Sequence, residues 1–198
     1  MTNRNNHEDS NTSISGFFIV WVKEAFNTLK DYFLLIEKSY LNDQIAEEIR
    51  ENRVDIKLLV RALFGSIIIT SFIDLLFSDS AEGSVDGFIE SFIIVVLIFI
   101  SAALIHAPLK WVGGKASFRQ TFFADLAVSI ISFPVISIVL VVSAWLGIDE
   151  KHAGYISTIL FIPIISSVHQ ISHGKVLGAM FIIFLGVMLL VALVALVA

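Results

Sequence analysis

The chain of 198 residues contains no cysteine. Disulfides, iron–sulfur clusters, thiolate zinc sites and cysteine nucleophiles are thereby excluded. Charge is also scarce: Asp, Glu, Lys and Arg make up 16% of the residues, against about 25% in soluble domains. The 13 basic residues are outnumbered by 18 acidic ones, for a net charge of -5. Nucleic acid is therefore an unsuitable partner, since its recognition needs a basic face. No Gly-rich phosphate loop is visible, and no internal repeat of about 20–50 residues. The first apolar run begins near Ile14 after an acidic stretch. It lacks a basic lead and a small-residue cleavage site, so no cleavable signal peptide is expected.

What is abundant is apolar. Hydrophobic residues make up 57% of the chain, and the mean hydropathy is +0.87. A soluble domain of this length cannot hide so much apolar surface, whereas a bilayer can. The expected fold class is all-α, a polytopic helical bundle in a membrane. Residues 1–13 are polar and Asn-rich and read as a disordered lead. Residues 14–57 read as a cytoplasmic helical segment. Within it Phe18, Val22, Phe26, Leu29, Phe33, Ile36 and Tyr40 form an apolar stripe among Lys23, Glu24, Asn27, Lys30 and Asp31. Such a stripe suits an amphipathic helix in the membrane interface, with Trp21 as an anchor, or a helix packed on the bundle.

Residues 58–198 hold five apolar segments, at about 58–77, 88–107, 118–146, 153–171 and 176–198. The fourth reaches the ~20 residues of a span only if its polar ends are helical. Asp55 is placed to cap the first of these helices, and Ser117-x-x-Gln120 has the form of a capping box before the third. Gly113-Gly114 ends the element before that box, and Pro134 and Pro163 predict kinks in the third and fourth helices. Arg61, Asp74 and Glu90 lie nearer helix ends, where their charges reach the interface.

Basic residues set the orientation. Eight precede or include Arg61, and three (Lys110, Lys115 and Arg119) lie between the second and third segments. None lies in the loop at 78–87, and Lys151 is the single one between the third and fourth segments. The N-terminus is therefore expected in the cytoplasm and the C-terminus outside. Trp111 falls at the inner interface, and Trp145 and Tyr155 at the outer one.

Two groups of residues carry candidate function. Thr121, Asp125, Ser129 and Ser132 recur at helical spacing and make one polar stripe on an apolar helix. A carboxylate there is costly, so Asp125 should face the bundle and meet a partner, with His106, His169 and Lys115 the leading candidates. The stripe serves either as a structural hub or as a path for a proton or solute. The second group is a cytoplasmic rim of His106, Lys110, Lys115, Arg119, His169, His173 and Lys175. His169 and His173 would share a face on one helix, as metal ligands do. The metalloprotease signature needs a Glu general base where Gln170 stands, so neither a catalytic zinc nor any cofactor is expected. Gly174 and Gly178 form a G-x-x-x-G, a spacing that allows close helix approach between copies.

Two strings, ALIHAPLKWVGGKASFRQTFF from Ala103 and SSVHQISHGKVLGAM from Ser166, resemble the Yip family of membrane proteins, named for interaction with Ypt/Rab GTPases. The shared features are His106, the Gly113-Gly114-Lys115 turn, Ser117-Phe118 and Arg119, then His169, Ser172 and Lys175 before the last span. The resemblance implies five spans, a cytoplasmic N-terminus and no catalytic activity. Eukaryotic members carry an Asp-Leu-Tyr-Gly-Pro motif, and Asp74-Leu75 here lacks its continuation. The resemblance therefore points to a bacterial member in a cytoplasmic membrane, and GTPase binding is not carried over. Expected partners are the lipid bilayer, another membrane or cytoplasmic protein, and a second copy of the chain. The expected role is a non-enzymatic scaffold, with a transporter, channel subunit or lipid-moving protein built around Asp125 as the alternative.

Overall fold

The computed structural model describes residues 9–41, 43–77, 86–147 and 154–197. Among these, every regular element is helical. In order they are α1 (Asp9–Ile36), a π-helical turn (Glu37–Leu41), α2 (Gln44–Arg50), α3 (Ile56–Phe77), α4 (Asp86–Trp111), α5 (Phe118–Leu146), α6 (Gly154–His169) and α7 (His173–Val197). Three of these helices, α3, α5 and α7, are long and apolar enough to cross a membrane, and shorter apolar stretches lie in α4 and α6. The 16 residues of α6 rise about 24 Å, short of the ~30 Å hydrocarbon core. The loops at 78–85 and 148–153, with Lys151 and His152, lie outside the described residues, as do the side chains of Trp21, Asp74, Glu90 and Tyr155.

Local chemistry accounts for the boundaries. Ser117 N donates to Gln120 Oε1 at 2.7 Å and Gln120 N donates to Ser117 Oγ at 3.3 Å, closing the capping box at the start of α5. Asp55 Oδ1 accepts from the amides of Lys57 (2.9 Å) and Leu58 (3.2 Å) and so caps α3. After α4, Gly113 turns the chain at φ +96°, a left-handed conformation that glycine adopts without strain. The first helix starts at Asp9, inside the stretch expected to be a disordered lead.

The core forms around α5, which packs against α3, α4 and α6. Ala124, Ala127, Ile130 and Ile131 of α5 are buried with Leu59 and Ala62 of α3, Leu109 of α4, Ile164, Ile165 and Val168 of α6, and Val176 and Ala179 of α7. Small side chains at Ala62, Ala124, Ala127 and Ala179 let neighbouring backbones approach, as packing in a membrane requires. Beyond Ile183, α7 carries exposed Phe184, Leu185, Leu189, Leu193 and Leu196. Exposed side chains of this kind make α7 a lipid-facing helix. A Cβ at Gly174, Gly178 or Gly186 would meet nothing within 4 Å, so the G-x-x-x-G is open within the single chain.

The packing of α1 turns its more polar side inward and leaves much of the apolar stripe outward. The residues it buries are Thr28, Tyr32, Leu35 and, in the π turn, Ser39. Val22, Phe26 and Phe33 instead stay outward, with Phe26 71% exposed. Helical rotation of about 100° per residue places these two sets about 130° apart, with exposed Lys23 and Lys30 on a third side. Leu35 and Tyr32 belong to the core, so the end of α1 is built into the bundle rather than resting on it. Gly65 of α3 makes this possible, because a Cβ there would lie 2.5 Å from the carbonyl oxygen of Thr28. Arg61 does not reach outward alone, but pairs with Glu24 (3.4 Å) and Asp31 (3.6 Å) of α1.

Candidate functional site

Two stretches far apart in sequence meet at one end of the bundle. The turn after α4 carries Lys115, whose amide donates to the carbonyl of His169 at 3.0 Å. That bond places the 106–121 and 169–175 segments on one face. Between them the capping box sets the first turn of α5 and brings Thr121 inward, fully buried. Its hydroxyl lies 2.8 Å from His106 Nδ1, 2.9 Å from His169 Nε2 and 3.1 Å from the carbonyl of Ser117.

A threonine hydroxyl holds one proton and two lone pairs. All three contacts are hydrogen bonds at once in only one arrangement. Thr121 donates to Ser117 O, and both rings donate to Thr121. His106 then carries its proton on Nδ1 and His169 on Nε2. The remaining nitrogen of His169, Nδ1, is buried without a partner. In this arrangement it is a bare acceptor, less costly than an orphaned N–H.

Gly114 closes the site. A Cβ there would lie 2.7 Å from the carbonyl of Leu109, and closer still to His169 Nδ1. The amide of Gly114 donates to that same carbonyl at 2.8 Å. Phe118 stands edge-on to the His106 ring, with centroids 5.7 Å apart. On α5, Gln120 also reaches back, donating to the carbonyl of Arg50 at 2.7 Å and so tying α2 to this end.

The remaining rim residues point away. Lys110, Lys115, Arg119, His173 and Lys175 are exposed, and the Arg119 guanidinium sits 5.5 Å from the centre of the Phe123 ring. His169 ends α6 and His173 begins α7, with Gln170 between them at φ +55°. The two histidines therefore do not share a helix face, as they would if one helix ran through both. Among the described residues no group of three His, Asp or Glu side chains is placed to hold a metal.

Asp125 lies one turn deeper on α5 and is 5% exposed. It faces the bundle, but its neighbours are not the ones expected. The hydrogen-bonding group beside its carboxyl is Ser101 of α4, while His106 and His169 are taken by Thr121. Its Oδ2 has no partner, and neither has the hydroxyl of Ser132. Ser129 is half-buried, and Ser143, buried further along the same face, extends the stripe beyond its expected end. Charge counting placed His106 and His169 on one rim, but their shared contact with Thr121 escapes sequence reading, since 63 residues separate them.

The fold and the site define a polytopic helical membrane protein whose polar residues gather at one end of the bundle. The Yip1 domain model matches residues 42–196, and the chain belongs to that family. Comparison with curated proteins and with solved structures finds no match.

Thr121→Ser should keep all three hydrogen bonds. Thr121→Val leaves two ring N–H groups without an acceptor, at about 1–3 kcal/mol for each buried group. Thermal unfolding in detergent should separate the two variants clearly. Equal stability would show that the threonine hydroxyl does not organise the site.

Proposed function

We propose that this chain is a non-enzymatic scaffold of the Yip type, which binds a protein partner at its rim. The observation that carries the reading is the division of polar groups at one end of the bundle. His106, Thr121 and His169 spend their hydrogen bonds on one another, while Lys110, Lys115, Arg119, His173 and Lys175 face outward. Inward groups bonded to one another build a platform, and the outward charges are placed to meet an acidic surface on a partner. We read the bundle as five spans in a bacterial cytoplasmic membrane, with the N-terminus inside and the C-terminus outside. The support is the excess of Lys and Arg at the rim end.

Reporter fusions test the topology. A fusion at Lys115 should report the cytoplasm and one at Glu150 the outer side. An inward-facing Glu150 would contradict the five-span order.

A second reading rests on Asp125. The structure gives its carboxyl a serine neighbour rather than a cation, and one oxygen has no partner. With the unpaired Ser132 hydroxyl on the same face, this suits a polar path for a proton, solute or lipid headgroup. Purification from native membranes in mild detergent, followed by mass spectrometry, distinguishes the two readings. The scaffold reading expects a stoichiometric protein that is lost with Lys110→Glu/Lys115→Glu and kept with Asp125→Asn. A bound solute or lipid that is lost with Asp125→Asn, with no protein partner, would overturn it in favour of the path.

A further inference from the structure

Pro134 lies inside α5 and Pro163 inside α6, and each helix runs on through its proline. A proline inside a helix lacks the N–H that the carbonyl four residues earlier would accept, and its ring pushes that carbonyl aside. In a bilayer the opened turn has no water to satisfy it, so a neighbouring side chain must do so. Two tyrosines stand at these turns. Tyr32 of α1 donates its hydroxyl to the carbonyl of Ile131 at 3.3 Å, and Tyr40 of the π turn donates to the carbonyl of Leu160 at 3.0 Å. In each case the acceptor lies three residues before the proline, next to the carbonyl that the proline leaves unpaired. A tyrosine hydroxyl keeps its proton at physiological pH, so it remains a donor.

The π turn explains how one segment serves both sites. Eight residues separate the tyrosines. At about 100° per residue, a regular helix would set Tyr40 some 80° away from Tyr32. A π turn is wider and rotates less per residue, which takes up this offset and swings Tyr40 back toward the face of Tyr32. Lys38, inside that turn, is tied to Glu48 of α2 at 2.7 Å, which holds the turn in place.

We propose that α1 and its π turn form a strap whose two hydroxyls hold the proline turns of α5 and α6 together, so that lifting the strap releases both. The handle is the outward face of Val22, Phe26 and Phe33, which meets lipid and lets a change in bilayer packing pull on the strap. This goes beyond the scaffold reading and stands on different residues.

Hydrogen exchange of the full chain in lipid nanodiscs tests the strap. Tyr32→Phe should speed exchange by about 2- to 10-fold around Ile130 to Val135 alone, since one net hydrogen bond is lost. Tyr40→Phe should do the same around Ile159 to Ile164 alone. Gly65→Ala, which pushes on the carbonyl of Thr28, should loosen both turns while leaving both tyrosines in place. Unchanged exchange at the proline turns in the Tyr→Phe variants would overturn the proposal. So would a Gly65→Ala effect confined to α1 and α3.

Discussion

One hydroxyl holds the rim end of this bundle together. Thr121 Oγ1 touches the end of α4 through His106, the end of α6 through His169 and the cap of its own helix through Ser117. The capping box and the Gly113 turn set where α5 begins and α4 ends, and this hydroxyl ties those ends to α6. The Gly113-Gly114 turn after α4 is pinned against His169, and the start of α7 follows from where α6 stops. In a bilayer, apolar packing does not favour one helix partner over lipid, so a satisfied polar cluster carries much of the specificity. Each ring must find an acceptor, because a buried donor left without one is expensive.

The same logic explains why α5 is the axis. It carries the polar stripe on one face and the small residues Ala124 and Ala127 on another. The stripe is satisfied at Thr121 and progressively less so with depth, since Asp125 Oδ2 and Ser132 Oγ lack partners. A structural role accounts for the first turn of the stripe and leaves the deeper part free for a second use.

Much of this was legible in the residues. The capping box at Ser117, the Asp55 cap and the glycine turn are local signals and form as expected. The inward face of α5 followed from helical periodicity alone. Periodicity located the apolar stripe of α1 but left open whether that stripe meets lipid or the bundle. Beside a lipid phase, Phe26 and Phe33 can stay outside while Thr28, Tyr32 and Ser39 pack inward. The partner of Asp125 was also misjudged. The charged rim was the obvious source, but the two histidines were already committed to Thr121, and the group beside Asp125 is a serine on α4. Neither tyrosine contact was legible, since each joins residues about a hundred positions apart, 32 with 131 and 40 with 160.

The arrangement of protons around Thr121 is read directly by nitrogen-15 NMR of histidine-labelled protein in bilayers. Assignment by His106→Gln and His169→Gln separates the two rings. The account predicts opposite neutral tautomers, with the proton on Nδ1 of His106 and on Nε2 of His169. A His169 ring carrying its proton on Nδ1 would contradict it, because a buried N–H would then face Gly114 with nothing to accept it.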